Sequence, residues 1–188
     1  MKLFALAASR NPVASVNRSL IRLVAEAAKT HGGSNVQIDL SLDFSEFDMP
    51  WYDDEAYGRA GLPEQAIRFK ERIEGANAVI IASPEYNSSM PGFFKNAIDW
   101  ISTVTPMPWH RKPVLLMSAT PSVFGGIKGT AHLRQSLEYM GAYVFPESFQ
   151  LAQAVTAFDP KSGKLAVQAQ QERLDRLVGE FIRYAARF

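Results

Sequence analysis

Ala78-Val79-Ile80-Ile81-Ala82-Ser83-Pro84-Glu85-Tyr86-Asn87-Ser88-Ser89-Met90-Pro91-Gly92 runs from an unbroken apolar pentad into a polar, Ser-rich loop. The pentad has no polar alternation, so it reads as a strand covered on both faces. Pro91 then stands where a helix begins, since the first turn has no use for its missing N–H. Phe93, Phe94, Ala97, Ile98, Trp100, Ile101 and Val104 follow at helical core spacing. A buried strand, a short loop and a helix in this order predict a parallel α/β sheet.

The pattern repeats in both directions along the chain. Residues 2–9 are a continuous apolar run, and 10–16 a polar loop with Pro12. Leu20, Ile21, Leu23, Val24, Ala27 and Ala28 form the next helical stripe, stopped by His31-Gly32-Gly33. Val36–Leu42 alternates as a strand nearer an edge. Residues 43–62 read as an acidic, aromatic, solvated loop without a period. Pro63 opens a helix with Ala66, Ile67, Phe69 and Ile73 inward. Pro113–Ala119 is another buried strand, Thr120–Gly126 a Gly/Pro loop, and Thr130–Met140 a helix. A short strand around Ala142–Phe145 precedes a turn at Asp159–Gly163. The last helix carries Leu174, Leu177, Val178, Phe181, Ile182 and Ala185 on one face. Five strands alternating with helices match a doubly wound sheet of order 2-1-3-4-5, helices on both faces, in one domain over 1–188.

Composition narrows the function. Of 188 residues, 47% are hydrophobic and 21% charged, the proportions of a globular protein. Twenty Lys+Arg against 19 Asp+Glu leave +1, which argues against a partner of nucleic acid or anionic membrane. There are no cysteines, so disulfides, iron–sulfur clusters, thiolate zinc and a thiol nucleophile are excluded. Redox chemistry would need a bound cofactor. The same absence fits a cytoplasmic protein. Met1–Ala8 opens like a signal peptide, but Arg10-Asn11-Pro12 breaks the run, and a first buried strand explains it better. No run approaches the roughly 20 apolar residues of a membrane span.

In a doubly wound sheet, ligands bind beyond the carboxyl ends of the strands. Loops 9–17, 83–89 and 118–126 leave those ends. The first leads into a helix N-terminus and carries Ser9, Arg10, Ser15 and Asn17. It reads either as a phosphate site or as a plainly capped βα loop. The second, with Pro84, Glu85, Tyr86 and Asn87, reads as donors for the rim of a planar heterocycle, or as a capped turn. The third has adjacent Gly125 and Gly126, which permit close approach of a ligand or simply a tight turn. No G-x-G-x-x-G, Walker A or G-x-S-x-G pattern occurs.

Pro84-Glu85-Tyr86-Asn87, continuing through Pro91-Gly92 to Lys95-Asn96-Ala97-Ile98-Asp99-Trp100, resembles the NADPH-dependent FMN reductase family. This flavodoxin-like group includes bacterial quinone, chromate and azo-dye reductases. Ser15-x-Asn17, Gly125-Gly126 with His132-Leu133-Arg134, and Asp48-Met49-Pro50-Trp51-Tyr52 are similar too. The resemblance implies non-covalent FMN, with NADPH or NADH as co-substrate and a small-molecule acceptor. It implies a phosphate held by Ser9, Arg10, Ser15, Val16 and Asn17. It implies an isoalloxazine against Pro84, Glu85, Tyr86 and Asn87, with Ser118, Thr120 and Gly125 along another edge. It also implies a homodimer or homotetramer. One departure stands out: Ala8 replaces the family's usual Gly, and the first loop is one residue longer.

In this reading the flavin carries the redox chemistry, so no side chain need be a catalytic acid or base. Glu85 is expected to hold backbone N–H groups or to accept from a ring N–H. No metal site is expected, since His110 and His132 lack metal-ligand spacing. The competing class is a flavodoxin-like FMN carrier without nicotinamide turnover. Such carriers tend to be acidic, and this chain is near neutral. A serine hydrolase at Ser9 would need an acid–His pair late in the chain, and no His follows His132.

Overall fold

Leu3, Ala5 and Ala7 of β1 (Lys2–Ala7) face one helical layer, while Phe4 and Leu6 face the other. The structure is a computed structural model and describes residues 1–11 and 13–188; Pro12, read as part of the first loop, lies outside them. β3 (Ala78–Ala82) and β4 (Pro113–Ala119) are likewise buried at every position. Double burial is why these strands are apolar throughout rather than at alternate residues.

β2 (Gln37–Ser41) pairs parallel with β1, β1 with β3, and β3 with β4. The order is β2-β1-β3-β4-β5, as expected. The far edge differs from the expectation of one short strand. Two segments share it: β5 (Tyr143–Val144) pairs with Pro113–Val114, and β6 (Phe149–Leu151) pairs with Met117–Ala119. Between them Pro146 has no N–H to give a ladder. Arg134 instead takes the Phe145 and Pro146 carbonyls at 2.7 and 3.2 Å.

α1 (Val16–Gly32) and α6 (Gln168–Ala185) cover one face, burying Leu20, Ile21 and Val24 with Leu174, Leu177 and Phe181. On the other lie α3 (Glu64–Glu74), α4 (Gly92–Ser102) and α5 (Ile127–Tyr139). α5 begins three residues before the expected Thr130, because Gly126 in the left-handed region starts it.

Residues 43–62 are not the solvated loop expected. Phe44–Phe47 forms a 3-10 turn, and α2 (Asp54–Ala60) follows. Phe44 and Phe47 are fully buried, within 5.6 and 4.9 Å of the Phe69 ring. Each such ring contributes about 1.5–3 kcal/mol by burial. Two of the acids are helix caps: Asp43 accepts from Ser45 N–H at 2.9 Å and Asp53 from Ala56 N–H at 2.7 Å. Arg72 binds both Asp39 oxygens at 2.6 and 3.2 Å and Glu46 at 2.8 Å. Its guanidinium lies 4.5 Å over the Phe4 ring, so this segment is tied to the β2 edge. Among the described residues, no helix is long and apolar enough to cross a membrane.

Candidate functional site

Because β1, β3 and β4 are neighbours, the loops leaving their carboxyl ends meet at one edge of the sheet. The first loop is held from within. Asn11 Oδ1 accepts from Val13 and Ala14 N–H at 3.1 and 3.0 Å. Ser15 caps α1, its Oγ accepting from Arg18 N–H at 3.3 Å. The hydroxyl proton of Ser15 is left to donate outward. The N–H groups of Val16 and Asn17, in the first turn, have no acceptor within the helix. With the helix dipole they suit an anion. Ser9 is buried beneath, its carbonyl accepting from Phe44 N–H at 2.9 Å.

Two residues read as phosphate contacts from sequence are engaged elsewhere. Asn17 is 2% exposed. Its amide donates to Ala119 C=O and accepts from Ala119 N–H, both at 2.9 Å. It takes over the sheet ladder where β3 ends, after Ser83 N–H reaches Met117 C=O at 2.9 Å. What Asn17 offers a ligand is therefore its backbone N–H. Arg10 turns to the loop after β2, donating to Asp48 Oδ2 at 2.6 Å and lying 5.7 Å over the Phe93 ring.

The second loop is a tight hairpin. Tyr86 and Ser89 exchange N–H···O=C bonds of 2.9 and 3.0 Å. Between them Asn87 (φ 50°) and Ser88 (φ 63°) both adopt the left-handed region, as in a type I′ turn. Asn tolerates that conformation, and the turn holds Tyr86, Asn87 and Ser88 outward. Behind it, Glu85 Oε2 accepts from Gly129 N–H at 2.8 Å and so caps α5. This is the backbone-holding role expected of Glu85. A Cβ at Gly129 would meet Ser89 O at 3.0 Å and the Glu85 chain at 3.2 Å. Glycine there lets α5 and the loop pack backbone to backbone.

The third loop is pinned by Thr120, whose N–H donates to Leu151 C=O at 3.1 Å and whose carbonyl accepts from Ala154 N–H at 2.9 Å. Gly125 (φ 62°) and Gly126 (φ 85°) make its sharp turn. A side chain at Gly126 would overlap the Ser118 hydroxyl. Ser118, expected along an edge of the ring, is instead fully buried under Gly126, and its Oγ has no hydrogen-bond partner among the described residues.

Asp48–Tyr52, part of the family resemblance, lies in the loop after β2; the sequence did not show how that loop is held. Asn96 and Trp100 on α4 clamp it: Asn96 Nδ2 and Trp100 Nε1 donate to Pro50 C=O at 2.9 and 2.8 Å, and Asn96 Oδ1 accepts from Tyr52 N–H at 2.7 Å. The available signal was a polar residue on the inward face of an apolar helix. The Tyr52 hydroxyl donates to Asp54 at 2.5 Å, and this bond to a carboxylate pushes its pKa up to about 12. A cavity of about 840 Å³ lies away from these loops, between α4 and α5 against Ile98, Met107, Tyr139 and Met140.

The donor set fits a phosphorylated, planar, mixed donor–acceptor ligand: first-turn amides and hydroxyls on one loop, a rigid polar turn on the next, and a glycine turn on the third. Comparison with known proteins agrees. The NADPH-dependent FMN reductase family model matches residues 1–156. A quinone reductase of Escherichia coli (strain K12) is 38% identical over 135 residues, which is 71% of this chain and 70% of that one. The NAD(P)H-dependent FMN reductase PA1204 of Pseudomonas aeruginosa is 34% identical over 135 residues, 70% of this chain and 72% of that one. In fold, the chain is similar to the flavoenzyme NAD(P)H:(acceptor) oxidoreductase FerB of Paracoccus denitrificans. That match has a TM-score of 0.75 at 24% identity and covers 99% of this chain and 97% of that one. With the loop framework, the motif after β3 and the family match all falling on the same residues, the chain belongs to the NADPH-dependent FMN reductase family.

Proposed function

We propose that this protein is an FMN-dependent NAD(P)H oxidoreductase that passes electrons from a nicotinamide through the flavin to a small-molecule acceptor, with quinones as the favoured class. The observation that carries the reading is the convergence of three ligand-type loops at the ends of β1, β3 and β4 in a chain of this family. The quinone reductases of Escherichia coli and Pseudomonas putida among its relatives support the acceptor class. Azo compounds, chromate and free flavin are the other acceptors to be assayed.

FMN, when bound, supplies the hydride-accepting and electron-donating chemistry. The chain's residues bind and orient it. The amides of Val16 and Asn17 and the hydroxyls of Ser9 and Ser15 hold the phosphate. Pro84, Glu85, Tyr86 and Asn87 would set the ring edge, and Thr120 and Gly125 would line another side, with Ser118 buried beneath them. Arg10, paired with Asp48, contributes as a wall. Glu85 acts through α5, accepting from Gly129 N–H in its first turn at 2.8 Å.

The protein works as a homodimer or homotetramer in this reading. The groove between α4 and α5, with its apolar floor and its end at Ser89 and Met90, supports a second copy as occupant. A cytoplasmic setting is supported by the cysteine-free composition. The test is steady-state turnover with and without FMN. NAD(P)H-dependent benzoquinone reduction that requires FMN supports the reading, and FMN-independent or absent reduction overturns it.

A further inference from the structure

The loop after β2 carries two features that folding alone does not require. Trp51 is 75% exposed, with its indole 3.9 Å from where a Cβ on Gly92 would stand, at the end of the Ser83–Pro91 loop. Asp48, three residues earlier, holds Arg10 from the first loop. The segment between them has almost no regular structure of its own. Its shape comes from α4, where Asn96 and Trp100, one turn apart, fix Pro50 C=O and Tyr52 N–H. Asn96 is a buried polar residue on an otherwise apolar face. A cavity of about 110 Å³ opens between Arg10, Asp48, Trp51, Phe93 and Asn96.

We propose that this loop is one wall of the acceptor subsite, with the Trp51 indole as a stacking plate for a flat, electron-poor ring such as a quinone, and with Asn96 and Trp100 as its positioning residues. An indole face is electron-rich, so an electron-deficient ring stacks on it in offset geometry. The backbone on either side of Trp51 is fixed by Asn96, so the loop itself needs no ordering when the ring arrives. The inference rests on the reading of the protein as an FMN-dependent reductase.

The test compares menadione, a flat quinone, with ferricyanide, a compact anion that cannot stack. In Trp51→Ala the KM for menadione rises about fivefold relative to that for ferricyanide, the size of one aromatic stacking contact. Trp51→Phe restores most of it. Asn96→Leu and Trp100→Phe shift the same ratio in the same direction, and far-UV circular dichroism reports their folding. A second readout needs no turnover: in equilibrium dialysis, menadione binds the oxidised FMN-loaded protein more weakly in Trp51→Ala by the same factor. Because Trp51 is exposed, that variant folds whatever Asn96→Leu does. Equal KM changes for both acceptors, or unaltered menadione binding in Trp51→Ala, overturn the inference alone. A wild-type protein that NAD(P)H cannot reduce overturns the functional reading as well.

Discussion

Replacing Asn17 by leucine separates a ligand contact from a piece of the sheet. The two side chains are close in size, so cavity effects are small. Lost are two bonds of 2.9 Å to Ala119. Stranded are the Ala119 N–H and C=O in a site where Asn17 is 2% exposed and Ala119 is 1% exposed. A buried backbone group left without a partner costs about 1–3 kcal/mol, so the pair comes to roughly 2–6 kcal/mol. For a domain of this length a loss of about 3 kcal/mol lowers Tm by roughly 6–12 °C. The assay is urea and thermal unfolding of the flavin-free protein, followed by circular dichroism. The loss appears in full before any flavin is added. A flavin-free variant as stable as wild type that nevertheless fails to retain FMN would refute the reasoning and return Asn17 to the phosphate.

Other perturbations probe the same construction. Arg10→Ala breaks a half-exposed pair, so stability falls by no more than about 1 kcal/mol, and FMN affinity in fluorescence titration changes by less than about threefold; a loss of two orders of magnitude shows that Arg10 reaches the phosphate. Gly129→Ala forces α5 away from Ser89 and Glu85, and costs about 1–3 kcal/mol by overpacking; FMN retention falls with it, and an unaffected flavin content counts against a rigid second loop. Arg72→Met removes the guanidinium from Asp39 and Glu46, leaving Asp39 only Lys2 and Glu46 only the Ser41 hydroxyl among the described residues, and lowers unfolding free energy by about 2 kcal/mol, measured in urea. Tyr52 titrates near pH 12 by ultraviolet absorbance. Its raised pKa favours the folded state below about pH 10, the ordinary tyrosine value. That contribution disappears as pH rises from there through about 12. Asp54→Asn brings the titration back toward the ordinary value.

The buried strands were legible because double burial writes an apolar residue at every position. The alternation of strands with helices then matched the doubly wound order, and that order places the three loops at one edge. What escaped reading depends on partners far along the chain. Asn17 meets Ala119 across 102 residues, and nothing local distinguishes a ladder amide from a phosphate ligand. Arg10 meets Asp48 across 38 residues. The Phe44–Phe47 turn and β6 are too short to show a period, and each is fixed by tertiary contacts. Asn96 was hidden in a motif quoted for its resemblance, while its physical role, holding a loop by its backbone, needed that loop's position.

The most direct test of the account is FMN titration into flavin-free protein, then anaerobic NADPH or NADH in a stopped-flow spectrophotometer. One FMN binds saturably per chain, and the oxidised flavin absorbance falls on the timescale of turnover with at least one nucleotide. No binding, or binding whose absorbance neither nucleotide changes, contradicts it.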